Sequence, residues 1–214
     1  MSFTLSLAVL LLLSYLIGSI PFGYLIGRCH GLDIRKEGSG NIGATNVTRV
    51  IGPWWGKLCF LLDFLKGLLP AGSAVLLTGN GVLEDPYHLL PAAATLTVVL
   101  GHIYPVFLKF RGGKGIATAA GAILPLCPVA VVLGFLSWGA VFLTTRYVSL
   151  ASITAAVVLP AAATILYAFH LPGATHSLPS VLLFILLGIL AILKHLSNIK
   201  RLLNGTENRF NKRG

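Results

Sequence analysis

Long runs of apolar residues are the feature that most constrains how this sequence can fold. The first run, Phe3–Gly27, would reach about 37 Å as a helix rising about 1.5 Å per residue, enough to cross a bilayer with some tilt. Hydrophobic residues form 56% of the 214-residue chain and charged residues only 10%, whereas about a quarter of a soluble domain is charged. The sequence therefore predicts an all-α polytopic membrane protein. Runs of this length exclude an outer-membrane barrel, whose strands alternate over about ten residues.

Further apolar runs indicate how many helices cross the membrane. The candidate spans are Phe3–Gly27, Trp54–Thr78, Tyr87–Phe107, Ser149–Phe169 and Leu178–His195. Another apolar stretch, Gly115–Thr145, is too long for one untilted span and short for two, and Pro125 and Pro128 interrupt it. The first run lacks a basic leading region and is too long for a signal peptide, so we expect it to remain as a span.

The basic residues between these runs predict the orientation. The net charge is +10, but the connections at 79–86 and 170–177 carry no Lys or Arg. The other connections and the C-terminal end hold Arg28, Arg35, Lys36, Arg49, Lys57, Lys109, Arg111, Lys114, Arg146, Lys194, Lys200, Arg201, Arg209, Lys212 and Arg213. The positive-inside rule then places the N-terminus outside and the basic segments in the cytoplasm. This orientation accounts for the charge without a nucleic-acid partner.

The stretch between two basic segments completes the predicted topology. Because Lys114 and Arg146 are expected on the same side, the chain between them must return to that side. It does so either as two short helices hinged near Pro125–Pro128 or as a re-entrant pair buried by its neighbours. We therefore expect seven transmembrane helical segments in a single domain over 1–214, with the fourth and fifth short and the C-terminus cytoplasmic.

The first polar cytoplasmic segment runs from Gly38 to Arg49. Its candidate residues are Ser39, Gly40, Asn41, Thr45, Asn46 and Arg49. A glycine-rich turn that opens a helix, with an arginine nearby, is suited to binding an anion. If 43–50 is helical, Asn46 and Arg49 share one face. The alternative is a flexible polar loop with helix-capping residues.

The second polar segment surrounds Lys114. Glycines stand at 112, 113 and 115, so we expect Arg111, Gly112, Gly113, Lys114 and Gly115 to form a phosphate-binding loop. The segment is not a Walker loop, because Leu108 takes the first glycine position and Gly115 follows the lysine. A positive-inside anchor explains Arg111 equally well, but it does not explain the glycines. His102, shortly before the loop, is either functional or a buried histidine with satisfied hydrogen bonds.

The third polar segment begins at His195. On a helix, His195 and Asn198 share a face, and a neutral histidine at the cytoplasmic interface can exchange a proton near pH 7. The alternative is the end of a membrane-surface helix, with Gly205 as its stop. We expect Glu207, an acid in a strongly basic tail, to pair with a nearby Arg or Lys.

Acidic residues are scarce, and their placement bears on the chemistry. Asp63 and Lys66 fall inside the second span, where their spacing allows an ion pair on one helix, and we favour a structural role over lining a cavity. There is no acidic cluster for a metal and no His-x4-Asp motif. We expect no metal and no cofactor. Basic, glycine-rich segments that face one compartment instead predict phosphorylated substrates.

Together these segments resemble one family, the bacterial acyl-phosphate–glycerol-3-phosphate acyltransferases, which are integral membrane enzymes. The resemblance covers nearly the whole chain, and the order of the motifs makes it specific. It is carried by Gly18-Ser19-Ile20-Pro21, Ser39-Gly40-Asn41-Ile42-Gly43-Ala44-Thr45-Asn46 with Arg49, Leu62-Asp63-Phe64-Leu65-Lys66-Gly67, Gly101-His102, Phe110-Arg111-Gly112-Gly113-Lys114-Gly115, His195, Asn198-Ile199, Arg201-Leu202 and Gly205-Thr206-Glu207.

The resemblance implies a reaction and a location. A fatty acyl group would pass from acyl phosphate to the 1-hydroxyl of sn-glycerol 3-phosphate, giving lysophosphatidic acid and phosphate in the first acylation step of phospholipid synthesis. The donor would be acyl phosphate, not acyl-CoA or acyl carrier protein, and a soluble enzyme that makes acyl phosphate would be a functional partner. The protein would be a multi-pass component of the bacterial inner membrane, in contact with lipid, with its active site facing the cytoplasm.

These expectations assign a role to each candidate residue. Catalysis is assigned to Ser39, His195 and Asn198, with His195, oriented by Asn198, as base for the attacking hydroxyl. Phosphate binding is assigned to Gly40, Asn41, Thr45, Asn46, Arg49, Arg111, Gly112, Gly113, Lys114 and Gly115, and structural polar roles to Asp63, Lys66 and Glu207.

Other mechanisms and functions stay open at this point. A substrate phosphate oxygen can replace His195 as base, and Ser39 can act through an acyl-enzyme. A phosphate-ester transporter would use the same basic groups, but it requires access from both faces, and the polar chemistry is expected on one. A structural membrane subunit would leave the three clustered motifs unexplained.

Overall fold

The computed structural model describes residues 3–175 and 177–210. Lys212 and Arg213, two of the predicted cytoplasmic charges, lie outside the described residues. Within them the α-helices are α1 Phe3–Ser19, α2 Phe22–Cys29, α3 Ala44–Val50, α4 Pro53–Gly79, α5 Leu90–Ile103, α6 Ile116–Ile123, α7 Pro128–Thr145, α8 Val148–Ala168, α9 Leu178–Lys194 and α10 Leu196–Leu203. Short 3-10 turns occupy Ile34–Lys36 and Val106–Leu108.

Five helical stretches in the described part of the chain are long and apolar enough to cross a membrane. They are Phe3–Cys29, which combines α1 and α2, then α4, Leu90–Leu108, α7 and α8. The pair α9 and α10 forms a sixth candidate span, bent by 54°. The chain is thus an all-helical membrane protein with five to six candidate spans. The seven-segment count and the outward N-terminus stay predictions.

The apolar stretch from Gly115 to Thr145 breaks where its prolines predict. Helix α6 ends at Ile123, and α7 starts at Pro128, where the missing proline N–H costs no helical hydrogen bond. The two helices differ in length, because α6 has 8 residues and α7 has 18. Of the two segments expected to be short, only α6 is short, because α7 is long enough to span a membrane.

Packing divides the chain into two compact units, and the first ends at Leu126. Within this first unit, α1 packs against α5, while α4 packs against α3, α5 and α6. The helices approach closely at glycines. A Cβ on Gly18 would overlap the Val98 carbonyl, and a Cβ on Gly67 would overlap the Thr118 carbonyl. Small residues at helix crossings give dense packing where water cannot drive association.

The second unit begins at Cys127 and is built on α8, which packs against both α7 and α9. The Trp138 indole N–H donates to the Ser152 hydroxyl at 3.2 Å, and Phe184 of α9 is fully buried. Gly188 of α9 faces the Ala156 carbonyl of α8. The single domain over 1–214 stays a prediction.

The cysteines allow a test of the predicted orientation. Cys29 is exposed, whereas Cys59 and Cys127 are buried. We expect a membrane-impermeant maleimide to label Cys29 in inside-out vesicles and not in right-side-out vesicles. A Cys29→Ser/Glu84→Cys variant, which moves the thiol to an exposed position in the loop at 79–86, should show the reverse. The opposite pattern in both proteins would contradict an outward N-terminus.

Candidate active site

The loop before α3 is held together by one buried amide. Asn46 lies within α3, and its Oδ1 accepts from the Ser39 N–H at 2.8 Å. Its Nδ2 donates to the carbonyls of Ile34, Glu37 and Asn41 at 3.1, 3.0 and 2.9 Å. A single side chain therefore fixes both sides of the turn that presents Ser39. The predicted helix over 43–50 is present as α3, but the face that carries Asn46 points into the loop.

The polar groups that the sequence predicts as ligands lie along this loop and in α3, and they differ in exposure. Gly40 adopts a φ of +71°, the left-handed region where a glycine is unstrained. The Asn41 Oδ1 accepts from the Gly43 N–H at 2.8 Å and sets the chain for α3. Ser39 is exposed, whereas Thr45 and Arg49 are half-buried.

A hydrophobic cluster lies beneath both glycine-rich loops of the first unit. It includes Ile34, Ile42, Val47, Cys59 and Leu108. The first four come from the loop, α3 and α4, whereas Leu108 belongs to the turn that leads to the second loop. Burial of these side chains ties the two predicted phosphate-binding segments to one support within the unit.

The second loop folds back onto the end of α5. The N–H of Gly112 donates to the Ile103 carbonyl, and that of Gly113 donates to the His102 carbonyl, both at 3.1 Å. A Cβ on Gly112 would overlap the His102 carbonyl, and a Cβ on Gly113 would overlap the His102 ring. The glycines here permit close backbone approach, and two of the amides expected to face phosphate satisfy α5 instead. Their assigned role in phosphate binding stays a prediction, as do those of Gly115, Arg111 and Lys114; of these, Arg111 is exposed and Lys114 is half-buried.

An ion pair lies inside the first unit. Asp63 Oδ1 is 2.8 Å from Lys66 Nζ, with both side chains buried, so the pair that the spacing allows is present. Lys66 Nζ also donates to the Ile20 carbonyl at 2.7 Å. This carbonyl, which also accepts from the Phe22 N–H at 3.2 Å, follows the end of α1, and a cation at the C-terminal end of a helix is favourable.

His195 stands at the bend between α9 and α10 in the second unit. The ring is buried, and its Nδ1 is 2.8 Å from the Ala191 carbonyl. A carbonyl accepts only, so this contact requires a proton on Nδ1. In the neutral ring the lone pair then lies on Nε2. This tautomer has the form that a general base needs.

The return of the chain after α10 places an acid beside Asn198. Gly205, with a φ of +69°, ends the helix, as the alternative interpretation expects. Glu207 then accepts from Asn198 Nδ2 at 2.6 Å and from Arg201 Nε at 2.7 Å. The predicted partner of Glu207 is thus Arg201, and Asn198 is oriented by Glu207.

Opposing effects act on the Glu207 carboxyl. Burial raises its pKa, but polar interactions with Ser149, Asn198 and Arg201 outweigh burial and hold the pKa below the ordinary value of 4.5. The carboxylate is therefore the form that the folded protein favours.

Sequence reasoning missed three groups that organise these sites. The sequence assigned no role to Thr118, whose hydroxyl lies 3.2 Å from His102 Nδ1. It also assigned none to the Ala191 carbonyl. Ser149 was noted only as the start of a span. No group of three or more metal-ligating residues is close enough to hold an ion in the part of the chain that the structure describes.

Comparison with known proteins gives a consistent result. A family model described as glycerol-3-phosphate acyltransferase matches residues 8–205. The glycerol-3-phosphate acyltransferase of Aquifex aeolicus is 45% identical over 94% of this chain and 97% of its own. That of Desulforudis audaxviator is 49% identical over 96% of this chain and 97% of its own.

Solved structures agree with these relatives. The crystal structure of PlsY (YgiH), an integral membrane glycerol 3-phosphate acyltransferase, in its glycerol 3-phosphate form has a TM-score of 0.84 and 42% identity, with 96% of each chain covered. The lysophosphatidic acid form has a TM-score of 0.81 at the same identity and coverage.

Asn46 gives a test of the first loop. Asn46→Asp keeps an acceptor for Ser39 but removes the three donations and turns a carboxylate toward three carbonyls. We expect the melting temperature to fall by about 5 °C or more, since each unsatisfied buried group costs about 1–3 kcal/mol. Asn41→Asp, which keeps its acceptor bond to Gly43, is the matched control and should melt near wild type. Equal melting of both variants would contradict the role of Asn46.

Glu207 gives a pH test of the second unit. A depressed folded-state pKa means that the carboxylate stabilises the folded protein above pH 4.5, and that this stability is lost as the pH falls through the folded-state value. We expect Glu207→Gln to melt below wild type at about pH 7 and the difference to shrink at about pH 4. Glu84→Gln, in an exposed loop, is the control. A difference that stays constant with pH would rule out the proposed carboxylate contribution.

Proposed function

Because the chain belongs to the glycerol-3-phosphate acyltransferase family, we propose that it transfers a fatty acyl group from acyl phosphate to the 1-hydroxyl of sn-glycerol 3-phosphate. The hydroxyl oxygen attacks the acyl carbonyl carbon, the bond between acyl group and phosphate breaks, and the hydroxyl proton passes to a base. The products are lysophosphatidic acid and phosphate. The match of nearly the whole chain to acyltransferases, one of them solved in glycerol 3-phosphate and lysophosphatidic acid forms, carries this proposal.

Two glycine-rich loops on one hydrophobic support are suited to phosphorylated substrates. Arg49 and Lys114, both half-buried, supply positive charge, and hydrogen bonds between cationic side chains and phosphate are strong. The acyl phosphate or its carbonyl oxygen is held by Ser39, Gly40, Asn41 and Thr45. Arg111 assists in phosphate binding or anchors the second loop.

Asn46 contributes to this site indirectly. Its described hydrogen bonds run to the backbone on both sides of the first loop. We therefore assign it to positioning Ser39 and Asn41, in place of the direct phosphate contact that the sequence suggested. Gly112 and Gly113 also contribute indirectly, because their small size lets the chain that carries Lys114 pass against α5.

His195 is the proposed base. Its Nδ1 contact to Ala191 leaves the lone pair of the neutral ring on Nε2, where it can accept the proton of the attacking hydroxyl. Asn198, held by Glu207, is assigned to orienting His195. A substrate phosphate as base, with His195 only clamping, and an acyl-enzyme at Ser39 are the competing mechanisms.

Chemistry and the family resemblance support acyl phosphate as the proposed donor. Acyl phosphate is an activated mixed anhydride, and both substrates then carry the phosphate that the basic loops suit. We place the site at the cytoplasmic side of the bacterial inner membrane, with lipid around the spans. A soluble enzyme that makes acyl phosphate would supply the donor, and the reaction would be the first acylation of phospholipid synthesis.

The proposed function is tested with purified protein in detergent micelles. Palmitoyl phosphate and glycerol 3-phosphate should give equal amounts of phosphate and lysophosphatidic acid, and palmitoyl-CoA should give no lysophosphatidic acid. Absence of turnover by folded protein, or equal use of palmitoyl-CoA, would overturn the proposal.

Two histidines provide a matched comparison for the mechanism. His30 Nδ1 also lies 2.8 Å from the carbonyl four residues earlier, so His30→Ala controls for loss of that contact. We expect kcat to fall about 100-fold or more in His195→Ala, as for loss of a general base, and to stay near wild type in His30→Ala. A small loss in His195→Ala would favour a substrate phosphate as base. Full activity in Ser39→Ala would eliminate the acyl-enzyme.

A further inference from the structure

One buried imidazole connects the ion pair of the first unit to the second glycine-rich loop. His102 lies in the last turn of α5 and is only 4% exposed. Its ring has polar neighbours on one edge and the loop on the other. None of the roles proposed above uses this side chain.

The inner edge of the ring faces α4 and α6. His102 Nδ1 lies 3.2 Å from the Thr118 hydroxyl and 3.6 Å from Asp63 Oδ1. Asp63 is itself paired with Lys66 at 2.8 Å. Charged groups inside a membrane protein are costly and persist where they pair or serve a site. Side chains from two elements, α4 and α6, converge on this nitrogen of α5.

The outer edge of the ring faces the loop. The atom nearest to a Cβ built on Gly113 is His102 Nε2, and the two would overlap. The Gly113 N–H donates to the His102 carbonyl at 3.1 Å. Backbone and ring of the same residue therefore set the path of the chain immediately before Lys114.

We propose that His102 is a positioning residue for the phosphate-binding loop. Thr118 and Asp63, which is itself held by Lys66, fix the ring at Nδ1. The Nε2 edge then fixes Gly113 and, through it, Lys114. This assignment rests on the proposed function, because it takes Lys114 as a ligand of a substrate phosphate. The ring acts through the loop and has no contact with the reacting atoms.

A double-mutant cycle between positions 102 and 113 tests the contact. Gly113→Ala places a methyl group against Nε2. His102→Asn keeps polar atoms near the Nδ1 and Cδ2 positions but vacates Nε2, so it makes room for that methyl group. Lys114→Met first identifies the substrate whose KM depends on the lysine. We expect Gly113→Ala to raise the same KM about tenfold, and His102→Asn/Gly113→Ala to return it to within about threefold of His102→Asn alone.

Gly112→Ala is the matched control. A Cβ at 112 would overlap the His102 and Ile103 carbonyls and Pro105 Cδ, none of which His102→Asn removes. The same histidine substitution should therefore leave the defect of Gly112→Ala unrelieved. Relief of both glycine variants would point to general loosening and overturn the proposal.

The remaining outcomes separate positioning from stability. Additive changes in KM overturn the proposal, and so does coupling in melting temperature without coupling in KM. If His102→Asn does not fold, Thr118→Val, which removes the hydroxyl next to Nδ1, should raise the same KM about threefold; an unchanged KM overturns the proposal. Wild-type protein without turnover would instead refute the proposed function before any variant is compared.

Discussion

Every backbone amide that this chain carries into hydrocarbon must find its partner inside the protein, since lipid offers none. Helices meet that requirement locally. Threonines along them also return their hydroxyls to the preceding turn, as Thr97 does to Ala93 and Thr164 to Pro160. Buried polar side chains add to this requirement, and some of them meet it across helices within the first unit. Lys66, for example, pairs with Asp63 and donates to the Ile20 carbonyl at the break between α1 and α2.

The same requirement shapes the loops where the proposed chemistry lies. A loop that must present polar groups to a ligand cannot use those groups to hold itself together. Here a second set of polar side chains, buried below, takes that task. Asn46 binds four backbone groups of the first loop, and His102 lies against the second. Hydrogen bonds to buried backbone are directional, so they fix loop positions more narrowly than apolar packing does.

Local geometry alone does not distinguish the two histidines that bind a carbonyl one turn earlier. His30 and His195 make the same 2.8 Å contact through Nδ1. Their surroundings differ. The exposed His30 lies edge-on against Trp55. The buried His195 precedes α10, whose residues Asn198 and Arg201 donate hydrogen bonds to Glu207. The surroundings of a histidine decide which role it can take, and α10 with its glycine stop forms part of the surroundings of the proposed base, His195.

The sequence by itself determined the fold class, most candidate spans, the break near Pro125–Pro128 and the polar segments, because apolar run length and proline act locally. It also indicated the pairing of Asp63 with Lys66, which follows from helical spacing. Only the tertiary structure decided that Asn46 faces inward, that the amides of Gly112 and Gly113 bind α5, and that His102 joins Asp63 to the loop. Such contacts join residues distant in the chain, and hydrophobic pattern and motif spacing describe neighbours along the chain only.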